Sequence, residues 1–184
     1  MTRFLNPHRC SVFIRQLTTY DVKMKMPLPY FCRGEVVKGF GRGSKELGIP
    51  TANYPEDVVD SLPEGITTGV YYGWACVDDG DIHKMVMSVG WNPFYKNEKK
   101  SMETHILHDY QADFYGSTLS LVMIGYIRGE KNFNSLDELI QAIKSDIAEA
   151  NAQLEKPENQ QFKQSNFFKP KQIINAQKPE SHHL

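Results

Sequence analysis

Short apolar runs with a two-residue period fill the middle of the chain, and a helical period replaces them towards its end. Phe31 to Val37 predicts one strand, and Gly69 to Val77 predicts another. The cluster Asp78-Asp79-Gly80-Asp81 then predicts a tight turn, with its Asp-Gly pair as the signal, into a return strand from Ile82 to Val89. Met102 to Leu107 and Leu119 to Ile127 supply two more strands. In the last of these, Val122, Ile124, Tyr126 and Arg128 share one face, while Leu121, Met123, Gly125 and Ile127 share the other. Both faces are largely apolar, so that strand is expected to be buried on both sides. Several short strands separated by turn signals predict a small antiparallel barrel or sandwich.

The period changes after Asn134. Ser135 and Glu138 form a capping-box pattern. Leu136, Leu139, Ile140, Ile143, Ile147, Ala150 and Leu154 then recur at helical spacing, and Pro157 stops the run. One helix with a single apolar stripe is therefore expected to pack on the outside of the barrel. The tail beyond it is polar except for Phe167-Phe168, a pair suited to folding back onto the domain.

Composition narrows the class. The chain has 184 residues, enough for one domain with appendages, and its 21 basic and 22 acidic side chains leave a formal charge of -1. No broad positive field exists to attract a polyanion, which argues against a nucleic-acid partner. Cys10, Cys32 and Cys76 are far apart and odd in number, which fits a reducing compartment better than a disulfide framework. No apolar run reaches the roughly 20 residues that span a bilayer. Residues 1–26 differ from the rest, with Arg3, Arg9 and Arg15 all preceding the first acidic residue, Asp21. That stretch reads as a mitochondrial presequence, as a disordered extension, or as sequence upstream of a start at Met24 or Met26. The expected organisation is a basic extension (1–26), one barrel domain (27–168) and a polar tail (169–184). The expected location is the cytoplasm, or the mitochondrion if the extension is a presequence.

Three stretches bear on chemistry. Gly39-Phe-Gly-Arg-Gly-Ser-Lys45 resembles a phosphate loop, yet Ser44 and Glu46 break the Walker and dinucleotide patterns. Its glycines allow backbone N–H groups close to a phosphate, and Lys45 offers a point charge; alternatively Lys45 and Arg42 are ordinary loop cations. Thr51 and Asn53 follow on a segment that, if extended, points both side chains to one face. They are hard oxygen donors suited to Mg²⁺, or else a pair that shapes a turn. Glu103 and His105 share a face of their strand, opposite Thr104 and Ile106. A carboxylate there, on the concave face of a barrel, serves as a general base or simply faces water. A zinc reading of His105 and His108 lacks a third ligand at a recognisable spacing. The segment Gly90 to Asn97 crowds three aromatics around an Asn-Pro turn, and Arg128, Lys131 and Phe133 lead into the helix.

Together these pieces resemble the riboflavin kinase (flavokinase) family in its eukaryotic, single-function form. The resemblance rests on "GFGRGSKELGIPTAN" (39–53), "TGVYYGWA" (68–75), "SVGWNPFYKN" (88–97), "KSMETHIL" (100–107), "DFYG" (113–116) and "RGEKNFNSLDELI" (128–140), in the family's order from about Leu28 to about Phe168. It implies a mainly β fold: a six-stranded antiparallel Greek-key β-barrel with a C-terminal α-helix packed on the outside. It implies transfer of the ATP γ-phosphoryl group to the 5′-hydroxyl of riboflavin, giving FMN and ADP. On that model Gly39, Lys45, Thr51, Asn53, Ile106, His108 and Tyr115 bind the nucleotide. Thr51 and Asn53 hold Mg²⁺ (Zn²⁺ in some members), Glu103 is the base, and Arg128, Lys131 and Phe133 contact the flavin. The implied partners are riboflavin and ATP, with no nucleic acid or membrane, and the chain is expected as a monomer. Gly129 stands where animal relatives are expected to carry proline, which bears on the shape of the flavin loop. No H-x-G-H adenylyltransferase signature is present, so FAD synthesis is not expected. A flavin-holding module and a barrel for single-stranded nucleic acid are the competing classes; near-zero charge and the glycine loop argue against the latter.

Overall fold

Each of the strands expected from two-residue alternation is present, with one short addition. The computed structural model describes residues 27–39, 45, 47–91 and 99–169. Its strands are β1 (Tyr30–Glu35), β2 (Ala52–Asn53), β3 (Gly69–Val77), β4 (Ile82–Trp91), β5 (Lys100–Ile106) and β6 (Thr118–Arg128). The helices are α1 (Glu56–Asp60), α2 (Leu136–Leu154) and α3 (Pro157–Gln160). The strands form one antiparallel sheet in the order β1-β6-β3-β4-β5-β2. The sheet curls until its two edges meet: just past β1, Val37 bridges to Asn53 of β2, its N–H donating to the Asn53 carbonyl at 3.0 Å. This is the mainly β barrel with an outer helix.

Alternation decides which face fills the barrel. Met85, Met87 and Val89 of β4, with Met102 and Ile106 of β5, point inward with Tyr71, Leu119, Leu121 and Met123. The opposite faces of β3, β4 and β6 carry Val70, Val86 and Ile127 under Ala150 and Ile147 of α2. Further along, Trp74 and Val122 pack with Leu154 and Phe168. The indole N–H of Trp74 donates to the Asn159 carbonyl at 3.0 Å, which seats α3 on the sheet. The Phe167-Phe168 pair does fold back: Phe168 is buried, and the Arg33 guanidinium donates to the Phe167 carbonyl at 2.8 Å.

Four details depart from the sequence reading. The hairpin turn is centred on Asp78 and Asp79, whose φ angles of 50° and 57° are both left-handed, one residue before the Asp-Gly pair. Asp tolerates that region better than most side chains, and the Asp78 carboxylate accepts the Thr118 N–H at 2.7 Å. Second, β6 does not alternate throughout. Its pairing with β3 skips Ile124 and Ile127, and each skip reverses the facing of the residues beyond it. Tyr126 thereby turns inward against Tyr71, with ring centroids 5.1 Å apart, and leaves the face it was expected to share with Val122. Third, Leu136 heads the apolar stripe but is 54% exposed, and the buried side chains of α2 (Asp146, Ala150 and Leu154) all lie in its second half. Fourth, Asp146 sits within that stripe and is buried. The cap behaves as expected at Ser135, which accepts the Glu138 N–H at 3.2 Å, while the Glu138 carboxylate reaches one residue further back, to the Asn134 N–H.

Candidate active site

Cross-strand register places the candidate residues in one row. Asn53 of β2 lies opposite Glu103 of β5, and Glu103 lies opposite Ser88 of β4. Ser88 lies opposite Val70 of β3, and Val70 lies opposite Arg128 of β6. Directly paired residues point to the same face. The row therefore runs Asn53–Glu103–Ser88–Val70–Arg128 across five strands, about 19 Å along the sheet at roughly 4.8 Å per strand. Val70 packs beneath α2, so the row is on the outer face. This corrects the expectation that Glu103 faces the concave interior: Met102, Thr104 and Ile106 fill that side, and Glu103 is left on the helix-bearing one.

At one end of the row, Asn53 is buried beneath the start of the glycine loop. A Cβ on Gly39 would overlap the Asn53 amide, so only glycine lets the chain pass there. The amide Nδ2 lies 3.5 Å from the Thr51 carbonyl, and Oδ1 is buried without a hydrogen-bond partner among the described residues. An unmatched buried amide oxygen is costly. A hard cation would satisfy it, and the oxygen chemistry of Thr51 and Asn53 fits such an ion. Gly39→Ala should consequently displace the Asn53 side chain. Its expected signature is a metal requirement shifted at least about tenfold upward, by analogy with lost support of a metal ligand, read from activity against Mg²⁺ concentration. The Thr104 hydroxyl is also buried and unmatched, but it points into the barrel, away from this row.

Two loops meet beside that end. Val36 and Gly116 are joined by a backbone hydrogen bond, as are Val36 and Ser117. The Lys45 ammonium bonds both carboxylate oxygens of Asp113, at 2.7 and 2.9 Å, and this hydrogen bonding raises its pKa. Both side chains are exposed. Asp113 is thus the partner of the loop lysine, a role its place in "DFYG" did not reveal. The exposed ring of Tyr115 faces the Lys38 ammonium, 6.0 Å from its centroid. His108 stacks on His83 at 3.9 Å and meets the edge of Tyr110 at 4.9 Å. Burial, and after it the neighbouring His108, pushes the His83 imidazole below its ordinary pKa. The Ile106 side chain lies in the barrel core, pointing away from the row that carries Glu103. The His105 ring is held 2.9 Å from the Pro50 carbonyl and ties β5 to the segment before β2.

At the other end, Arg128 is committed internally. Its guanidinium bonds the buried Asp146 carboxylate at 2.8 and 2.7 Å and the Gly129 carbonyl at 3.0 Å, and it lies 5.8 Å from the centroid of the Phe133 ring. Phe133 is half-buried and Lys131 exposed. Phe40 to Ser44, the aromatic turn from Asn92 to Asn97, the extension 1–26 and the tail from 170 lie outside the described residues. No helix among the described residues is long and apolar enough to cross a membrane.

The family model described as "Flavokinase: Riboflavin kinase" matches residues 26–154, well over half of the chain. The chain belongs to the riboflavin kinase family. It is therefore an enzyme, a phosphotransferase with an alcohol acceptor. The riboflavin kinase of Homo sapiens is 65% identical over 141 residues, spanning 77% of this chain and 91% of that protein. The riboflavin kinase of Pyricularia oryzae is 44% identical over 152 residues, covering 74% and 76% of the two chains. Among solved structures, the Trypanosoma brucei riboflavin kinase superposes with a TM-score of 0.62 at 30% identity, covering 84% of this chain and 92% of that one. The family resemblance implies roles for Glu103, Asn53 and Arg128; it implies none for Ser88, Asp113 or Asp146.

Proposed function

We propose that this chain transfers the γ-phosphoryl group of ATP to the 5′-hydroxyl of riboflavin, releasing FMN and ADP. The observation that carries the reading is the register row, which aligns a carboxylate between an oxygen-donor end and a loop end suited to a flat ring. Glu103 accepts the proton of the 5′-hydroxyl as its oxygen bonds to the γ-phosphorus and the bond to the β,γ-bridging oxygen breaks. The proton then passes to solvent, and ADP leaves. Thr51 and Asn53 hold a divalent cation, Mg²⁺ or Zn²⁺, through their side-chain oxygens; when bound it neutralises charge on the phosphates. The Gly39 loop brings backbone N–H groups and the Lys45 ammonium towards those phosphates, with Asp113 orienting the lysine. His108, Tyr115 and the Ile106 backbone border the adenine end.

With three of its five N–H donors taken by Asp146 and the Gly129 carbonyl, the Arg128 guanidinium braces the 128–133 loop and backs the Phe133 ring. Lys131 and Phe133 are the side chains of that loop left to meet the flavin. The test incubates the protein with riboflavin and Mg-ATP and separates the flavins by chromatography. FMN and ADP should form in equal amounts, and no ATP-dependent FMN would overturn the proposal.

A further inference from the structure

We propose that Ser88 is a contact residue for the polyol chain of the flavin substrate, hydrogen-bonding a hydroxyl between the reacting end and the ring. The inference rests on the reaction just proposed and adds a residue to it. Ser88 occupies the middle of the row, with Glu103 directly opposite on one side and Val70, then Arg128, on the other. It is also unusual in its burial. β4 is an interior strand of the sheet, and both Met87 and Val89 beside it are fully buried. Val86, two residues away on the same face, is buried with Ala150 of α2. Ser88 is nevertheless exposed, so the helix stops short and leaves an opening whose floor is this serine.

The next residue on that face is Gly90. A Cβ there would stand 3.0 Å from a Glu130 carboxylate oxygen and 4.0 Å from the Ser88 hydroxyl. The flavin loop thus hangs over the row at this point, and the missing side chain keeps the space between Glu130 and Ser88 open. A substrate whose terminal hydroxyl meets Glu103 and whose ring meets Lys131 and Phe133 must cross Ser88. The part that crosses is a chain of hydroxyl groups, and a serine hydroxyl both donates to and accepts from such groups. An apolar residue would leave them unmatched.

The test compares riboflavin with a flavin carrying an unbranched hydroxyalkyl chain, which keeps the terminal hydroxyl and lacks the inner ones. Dissociation constants come from flavin fluorescence titration with Mg-ADP present, alongside kcat/KM for riboflavin and KM for ATP. Ser88→Ala should weaken riboflavin binding about three- to tenfold, the worth of one neutral hydrogen bond, and leave the hydroxyalkyl flavin and ATP within about twofold. Ser88→Leu, which fills the floor, should weaken both flavins by more than about tenfold without changing the ATP KM. Equal weakening of both flavins by Ser88→Ala, no weakening of riboflavin, or a Ser88→Leu variant that binds flavin normally would each overturn the assignment. Failure of the underlying reaction is separately visible, because the unaltered protein would then make no FMN.

Discussion

Glu103→Gln lowers the rate of FMN formation by roughly 10²–10⁴, the usual worth of a positioned general base, while riboflavin and ATP still bind. Glutamine keeps the shape and the cross-strand place between Asn53 and Ser88, but it cannot take the proton of the attacking hydroxyl. The loss should fall on kcat, because proton removal belongs to the transition state rather than to substrate binding. Steady-state kinetics with chromatographic detection of FMN reads the effect, and a thermal melt confirms that the barrel is intact. Turnover within a few-fold of the unaltered protein would remove Glu103 from the role of base.

The second large effect is on stability. Asp146 is 6% exposed and Arg128 18%, and their two hydrogen bonds join α2 to the end of β6. Asp146→Ala strands a guanidinium in a partly buried site, and breaking a buried pair from one side costs about 3–5 kcal/mol. Arg128 keeps its bond to the Gly129 carbonyl and some access to water, so the expected loss is about 2–4 kcal/mol by denaturant titration. The riboflavin KM should rise as well, because the 128–133 loop loses its brace, while the ATP KM stays unchanged. Pairing Arg128→Met with Asp146→Leu separates the two consequences. An apolar pair of similar volume should restore most of the stability, yet the flavin KM should stay high. Recovery of both together would mean that the ion pair matters for packing alone.

The strands were legible because alternation is a property of neighbouring letters, and Met102-Glu-Thr-His-Ile106 displays it directly. Which side of that strand fills the barrel is a different matter. Glu103 and His105 were rightly separated from Thr104 and Ile106, but the choice between inner and outer face depends on what packs across the barrel. The skips at Ile124 and Ile127 left no mark, since both residues suit a strand buried on two sides and only the pairing with β3 exposes them. Asp146 did leave a signal. It stands three residues after Ile143 and four before Ala150, inside the apolar stripe, and a carboxylate there demands a cationic partner. The sequence does not say that the partner is Arg128. Ser88 and Asp113 are beyond sequence reasoning of this kind: one matters through the residues opposite it, the other through a loop 68 positions away.

The shortest strand of the barrel has the widest consequence. β2 is two residues long, and its second residue, Asn53, both meets Val37 to close the cylinder and offers the unmatched amide oxygen at the head of the row. On the proposed reading, closure and loading share one joint. Parting the seam empties the cation site, and filling the site fastens the seam, so the substrate complex acts as the clasp of the fold that makes it.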